Sequence, residues 1–373
     1  MKILSFEPEN KYLRQQFIRL SFQLYRDDPN WVPPLMMDMR MVFDCRRNGF
    51  YRHCETRFFL AVEDNRPVGR LMMLHNLDNL SPCAHFYYFE SENTSEIAQR
   101  LFNAGAGWAR DRGLQSIFGL KGMTPLDRLG MLVRGFEHRT TFGMPYNPPY
   151  YPAFLKACGF TQVREAESGF LDPAQFILPE KVQSAAEIIQ KRKGFRVLKL
   201  SSRRDLRKAV LMLGELYNAA LDGTEGNTPL STNDLHTMTT GLLWIAQPEL
   251  IKLIFKGDQP VGFRLAYPDI ARGLQATRGR VLPFGWIRLL WENHHSEWID
   301  INGAGIAAEY RGLAATALLF SEMYQSVTAS GQFRHGEVIQ IGTENEKMRA
   351  ELRGMGIEFY KSHALFEMEI DND

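Results

Sequence analysis

The residues best suited to hold a charged ligand lie in INGAGIAAEYRGLAATALLFSEMY, from Ile301 to Tyr324. A strand is expected up to about Ala307, then a turn through Glu309, Tyr310 and Arg311. A helix follows from near Gly312, with Leu313, Ala317, Leu318 and Met323 or Tyr324 at core spacing. The first turn of a helix offers unpaired backbone N–H groups and the positive end of the helix dipole, which together hold an anion where side chains are small. Gly312, Ala314, Ala315 and Thr316 are small, and Arg311 adds a fixed positive charge that pairs with phosphate oxygens. The chemistry expected here is therefore the holding of a phosphate or diphosphate. Other reactive residues are poorly placed. His53 with Cys54 lacks a second ligand pair at metal spacing, so no metal site is expected. Cys158, just before a glycine that ends a helix, reads as packing. No P-loop, G-x-S-x-G or H-E-x-x-H motif occurs.

The elements that must position this loop occur twice. RFFLAVEDNRPVGRLMML at 57–74 and LIKLIFKGDQPVGFRLAY at 250–267 each read as a strand, a short polar turn, and Pro-Val-Gly leading into a second strand, which makes a hairpin. YYPAFLKACGFTQV at 150–163 and MRAELRGMGIEFYK at 348–361 each read as an amphipathic helix stopped at glycine, then a strand. Gly69 and Gly262 are 193 positions apart, and Gly159 and Gly356 are 197 apart. Two landmarks recurring with nearly one period indicate a tandem duplication. Between them each half holds a strand, a helix and another strand, so the expectation is an α/β fold of the α+β type: two domains, each a mixed, mostly antiparallel sheet flanked by helices. The expected domains are 1–172 and 195–373, joined by a Pro-bounded, basic linker at 173–194. Each half has its own insertion, at 122–144 and at 268–293. The second carries four arginines, Trp286 and Trp291, and is either a surface loop that lays both indoles on the core or part of a substrate cleft. FIRLSFQLYRDDPNWVPP at 17–34 reads as an amphipathic helix, then an extended segment that lays Trp31 on an apolar surface.

Composition bounds the function. The 373 residues suit two domains, and 44 Lys plus Arg against 43 Asp plus Glu give no global field for nucleic acid or an anionic membrane, so any anion site is local. Four scattered cysteines suit a reducing compartment. The charged N-terminus and the absence of long apolar windows suit a cytoplasmic protein with no membrane partner.

Ile306-Ala307-Ala308-Glu309-Tyr310-Arg311-Gly312 resembles the strand-to-helix loop of the GCN5-related N-acetyltransferase (GNAT) superfamily, Val-x-Pro-Glu-Tyr-Arg-Gly, which binds the pyrophosphate of an acyl-coenzyme A. Ala314 and Thr316 stand where the family has two Gly or a Gly and an Ala. The segment Asn345 to Ile357 resembles a second family motif, which places Asn345 against the pantetheine arm and Leu352 where the family often has a general-acid Tyr. The first half resembles the scaffold alone. Its phosphate position reads ESENTSEIAQRL, with Glu90 and Glu92 set to repel a diphosphate, which implies that this copy has lost the cofactor. Asn147 falls in the place equivalent to Asn345. It lies beside Tyr146, Tyr150 and Tyr151 in a stretch that is either a Pro-bounded turn with packing tyrosines or the aromatic wall of a substrate groove.

The whole layout, including RDDPNWVPP, looks like two-domain bacterial GNAT proteins of largely unassigned substrate. The resemblance implies an N-acyltransferase that uses acetyl-CoA or another acyl-CoA, held by Ile306, Ala307, Arg311, Gly312, Leu313, Ala314, Ala315, Thr316 and Asn345. The implied acceptor is a small-molecule or peptide amine, and the protein is a monomer or homodimer. The base that takes the amine proton is expected on the approach to the loop. Glu297 and Asp300 differ in facing parity, so at most one meets the cleft, and Glu297 is the candidate. His294 and His295 are either titrating partners or a polar loop. Two further readings stay open: a catalytically silent tandem fold that binds a small molecule or protein, and an acyltransferase taking an aminoacyl-tRNA donor, which the near-neutral charge disfavours.

Overall fold

The computed structural model describes residues 1–78, 81–122, 127, 129–192, 194–221, 246–311 and 315–370. The chain forms two compact units. The first comprises Met1–Glu167, Leu274–Trp286 and Lys361–Asp373, and the second Ser168–Gly273 and Ile287–Tyr360. The units are thus discontinuous in sequence, unlike the contiguous halves 1–172 and 195–373.

Along the chain run β1 (Lys2–Phe6), α1 (Lys11–Leu24), α2 (Met36–Val42), β2 (Cys54–Glu63), β3 (Arg66–Asn76), β4 (Cys83–Ser91), α3 (Ser95–Arg110), β5 (Ser116–Gly119), β6 (Met131–Arg134), α4 (Tyr151–Ala157) and β7 (Thr161–Leu171). They are followed by α5 (Glu180–Arg192), β8 (Phe195–Lys199), α6 (Arg203–Leu221), β9 (Ile251–Lys256), β10 (Gln259–Pro268), α7 (Ala271–Thr277), α8 (Gly285–His295), β11 (Trp298–Ile306), α9 (Ala315–Ser330), β12 (His335–Gly342), α10 (Glu346–Gly354) and β13 (Glu358–Glu369).

In the first unit β1 to β4 are successively antiparallel, β4 and β5 are parallel, and Phe366–Glu369 of β13 close on β5 antiparallel. That last pairing is why the end of the chain belongs to this unit. Helix α3 buries Ile97, Leu101, Phe102 and Trp108 against Leu71 and Phe86 on one face of the sheet. Phe17 of α1 and Met39 of α2 pack with Phe58 and Met72 on the other face. Residues spaced three and four apart make the stripe on each helix, and strict alternation of Phe58, Phe59, Leu60 and Ala61 sends side chains to both faces. In the segment after α1, Trp31 stacks on Tyr25 at 5.1 Å between centroids.

The second unit repeats the order: β8, β9, β10 and β11 are antiparallel neighbours and β11 pairs β12 in parallel. Helix α6 packs Leu206 and Leu213 on Leu253 and Phe263. Helices α5 and α9 cover the other face through Ile189, Leu318 and Leu319 on Ile254 and Val261. The segment expected as a linker therefore contains α5, whose Ala186 and Ile189 are core residues.

The duplication extends to irregularities of the backbone. Val68 and Val261, each the middle residue of Pro-Val-Gly, are the extra residues of a bulge in the two hairpins. The glycine that follows permits close approach: a Cβ on Gly69 would lie 2.5 Å from Ile97 Cγ2, and one on Gly262 3.1 Å from the Gly305 carbonyl oxygen. The insertion at 268–293 folds as α7, a turn and α8. It does not lay its indoles on the core, since Trp286 and Trp291 are 40% and 48% exposed.

Candidate active site

Strands β11 and β12 are in register for four residues, Trp298 opposite His335 to Ile301 opposite Val338, and then part. At the point of parting β11 bulges against its other neighbour β10, with Asn302 and Gly303 opposite the single Leu265, and Gly303 has φ +79°. A left-handed residue there turns the strand away from β12 while it keeps its ladder to β10 as far as Ile306. The parted stretch is open: Gly303 and Ala304 are exposed, and a Cβ on Gly303 would meet nothing within 4 Å.

Ala307 N–H donates to the Val261 carbonyl (3.0 Å) and ends the strand. A short 3-10 turn at Ala308–Tyr310 follows. Arg311 is exposed, and its Nε donates to the Ile306 carbonyl at 3.2 Å, which holds the guanidinium beside the strand end. Tyr310 packs its ring on Phe195. Helix α9 runs from Ala315, which is buried, with Thr316 half-buried. Gly312, Leu313 and Ala314 lie outside the described residues.

The first unit has the same parting in a closed form. β4 and β5 are in register for four residues, from Cys83–Ser116 to Phe86–Gly119, and β4 then bulges at Tyr88 (φ +49°). Here tyrosines close the strand edge. Ser91 N–H donates to the Tyr151 hydroxyl (2.7 Å), and Tyr150 donates to the Ser91 carbonyl (3.1 Å). Tyr151 and Tyr25 donate to Glu90 Oε2 at 2.9 and 2.5 Å, and Arg70 reaches its other oxygen at 3.3 Å. Burial raises the Glu90 carboxyl pKa, with Arg70 and the two tyrosines opposing. Both tyrosine hydroxyls are pushed up, first by burial and then by the Glu90 charge. Glu92 pairs with Arg66.

Acid–base groups collect in the second unit on the sheet face opposite α9. Ile299 and Ile301 point to the α9 side, so Trp298, Asp300 and Asn302 point away, as do His335 and Glu337 in register beside them. Asp300 and Glu337 are wholly buried neighbours. Tyr360 donates to Glu337 Oε2 at 2.8 Å, and Asn302 Nδ2 contacts the Tyr267 hydroxyl. The Trp298 and His335 rings lie 4.8 Å apart.

The remaining sequence-derived candidates fall elsewhere. Glu297 precedes β11, is half-exposed and pairs with Arg334 at 3.3 Å. His294 and His295 are exposed at the end of α8, with His295 stacked on Trp291. Asn345 is the exposed N-cap of α10 and accepts from Met348 N–H at 3.2 Å. Leu352, at the position of the family's tyrosine, is a core residue at 1% exposure. In the first unit Tyr146 donates to Asp28 Oδ2 (2.8 Å), and the buried Asn147 amide bridges backbone: Leu132 N–H donates to its Oδ1 (2.7 Å), and its Nδ2 donates to the carbonyls of Leu132 and Pro148 (3.1 Å each). The sequence reasoning missed Glu337, Tyr360 and Tyr267. The alternation of GEVIQIG could have placed Glu337 on one face, but its register with Asp300 is not readable without the pairing.

The parted parallel strands, the bulge at the parting and the repetition of both define the fold as that of tandem GNAT proteins. A tandem GNAT protein from the clavulanic acid biosynthesis pathway superposes with a TM-score of 0.58 over 100% of this chain and 99% of its own, at 12% identity. In sequence the chain is 23% identical to Protein YghO of Escherichia coli over 97% of its length and 94% of that protein's. It is 26% identical to a bacterial ceramide synthase of Caulobacter vibrioides over 74% of its length and 73% of that protein's. No family model matches the sequence.

Proposed function

We propose that the protein is an acyl-CoA-dependent N-acyltransferase working through its second unit. The observation that carries this reading is the contrast between the two partings. The same backbone device is closed by Tyr150 and Tyr151 in the first unit and left open beside Gly303 and Ala304 in the second. An open strand edge presents backbone amides in fixed positions, and small residues let a slender chain lie against them. The space beside Gly303 and the charge of Arg311 fit a pantetheine arm ending in a diphosphate. When bound, an acyl-CoA supplies a thioester carbonyl open to attack by an amine. Arg311 and the start of α9, with Gly312, Leu313, Ala314, Ala315 and Thr316, hold the diphosphate. Ile306 and Ala307 line the strand end, and Asn345 lies at the start of α10. We assign the handling of the amine proton to Asp300, Glu337 and Tyr360 instead of Glu297, because Glu297 is half-exposed and engaged by Arg334, whereas Asp300 and Glu337 are buried side by side with Tyr360 bonded to Glu337.

The name of one relative supports the chemistry. A ceramide is an amide of a long-chain amino alcohol, so a ceramide synthase is named for acylation of an amine. The acceptor here is accordingly an amine. Thermal-shift titration with acetyl-CoA and a long-chain acyl-CoA tests the reading: a ligand at 100 times its dissociation constant stabilises the fold by about 2.7 kcal/mol. Arg311→Glu is expected to abolish the shift. No shift with either thioester refutes the donor, and a shift that survives Arg311→Glu refutes the placing of the diphosphate.

A further inference from the structure

The two hairpins align at a constant offset of 193, which sets Phe59 against Lys252 and Leu71 against Arg264. In the first unit Phe59 and Leu71 are cross-strand partners buried in the apolar core with α3. In the second unit the same register pairs Lys252 with Arg264, each 5% exposed, on the face covered by α9. The scaffold is therefore satisfied by two hydrocarbon side chains at this spot. The second copy has instead two cationic side chains at cross-strand partner positions and out of water, which costs stability through desolvation.

Among the described residues Arg264 makes no hydrogen bond and no ion pair, and its guanidinium lies 4.2 Å from the centre of the Phe320 ring. Burial alone lowers its pKa, to about 10. Burial also lowers the Lys252 amine, opposed by Glu322 and Glu249 and reinforced by Lys199. Arg264 opens onto a cleft walled by Leu171, Ile299, Ile301, Phe320, Met323 and Val338. Its atom-free space, open mouth included, is ≈ 520 Å³. Phe320 and Met323 lie about 8 and 12 Å along the helix axis from Ala315, so the cleft is separate from the start of α9.

We propose that this cleft binds the carboxylate of an acid bearing an apolar chain, with the head on Arg264. A guanidinium presents parallel N–H groups that match the two oxygens of a carboxylate. A phosphate dianion would bring further oxygens against walls that are mostly apolar, with only the Tyr324 and Thr328 hydroxyls among the lining residues. The proposal does not use Arg311; its cleft is walled in part by Ile299, Ile301 and Val338 of β11 and β12, and Arg264 is the cross-strand neighbour of Ala304.

The test compares sodium octanoate, octan-1-ol and inorganic phosphate in thermal-shift and calorimetric titrations of the full chain. Arg264→Leu copies the first unit, so the variant is expected to melt at or above the wild-type temperature. Octanoate is expected to raise the melting temperature of the wild type, with octanol and phosphate at least tenfold weaker and octanoate at least tenfold weaker on Arg264→Leu. Equal responses to octanoate and octanol, an undiminished response of Arg264→Leu, or no wild-type response at millimolar octanoate each overturns the proposal. If Arg264→Leu fails to fold, Arg264→Gln is read by the same criteria. Acetyl-CoA titrated into the same samples separates the two readings: loss of its shift in Arg311→Glu and retention in Arg264→Leu is expected.

Discussion

Replacing Asn147 by alanine separates a structural amide from a ligand-binding one. The side chain acts as a short surrogate strand: it takes one hydrogen bond from Leu132 N–H and gives two, to the carbonyls of Leu132 and Pro148, at 2.7 to 3.1 Å. Leu132 is 1% exposed and Asn147 5%, so water does not freely replace these bonds. A buried polar group left unsatisfied costs about 1–3 kcal/mol, and the backbone N–H and C=O of Leu132 lose their partner together, so Asn147→Ala is expected to destabilise the first unit by about 2–4 kcal/mol. For a unit of this size that corresponds to a melting temperature lower by about 5–15 °C. Urea titration followed by circular dichroism and by tryptophan fluorescence reads it, using two probes because two units need not unfold together. Asn147→Asp keeps the acceptor but sets a carboxylate oxygen against two carbonyl oxygens in a buried site, so it is expected to destabilise at least as much as alanine. If Asn147→Ala melts within 0.5 kcal/mol of wild type while the KM for an acceptor rises, the clamp reasoning fails and the groove reading of Asn147 is restored.

Three other substitutions probe the chemistry and the cores. Glu337→Gln is expected to lower the acyl-transfer rate by about 10²–10⁴ with acyl-CoA affinity changed less than threefold, and an unchanged kcat removes Glu337 from the proton path. Leu352→Tyr puts the family's phenol into a core position and is expected to cost about 1–3 kcal/mol without raising the rate; a faster enzyme would show that the phenol reaches the site. His363 is buried, its Nε2 donates to the Pro145 carbonyl at 3.0 Å, and its pKa is lowered by burial to about 4. A depressed folded pKa gives stability that is complete above the unfolded value near 6.5 and is lost as pH falls toward 4, so about 3 kcal/mol is expected to disappear across that window. Folding free energies of wild type and His363→Gln measured at pH 7 and pH 4.5 check it, and parallel pH slopes in the two proteins contradict it.

Much of the fold was legible because the duplication supplied its own control. Pro-Val-Gly occurs twice, and the structure gives both copies the same bulge at valine and the same tight approach at glycine. Helix α3 was readable because its apolar spacing is a local property. The linker was misread because α5 has a short, basic pattern whose buried Ala186 and Ile189 matter only against α9. Trp286 and Trp291 looked like core residues by type, yet composition does not say which indoles find a surface to cover.

The sequence by itself determined the repeat, the order of strands and helices, and the strand–turn–Arg311–helix segment, since each depends on residues within one turn or one hairpin. Tertiary structure alone decided which copy's parted strands are open, that Asn147 serves Leu132, that Asp300 and Glu337 are neighbours, and that Arg264 is buried. Those are facts of register between strands far apart in the chain. A shift of one residue would reverse every facing, and no local pattern records it.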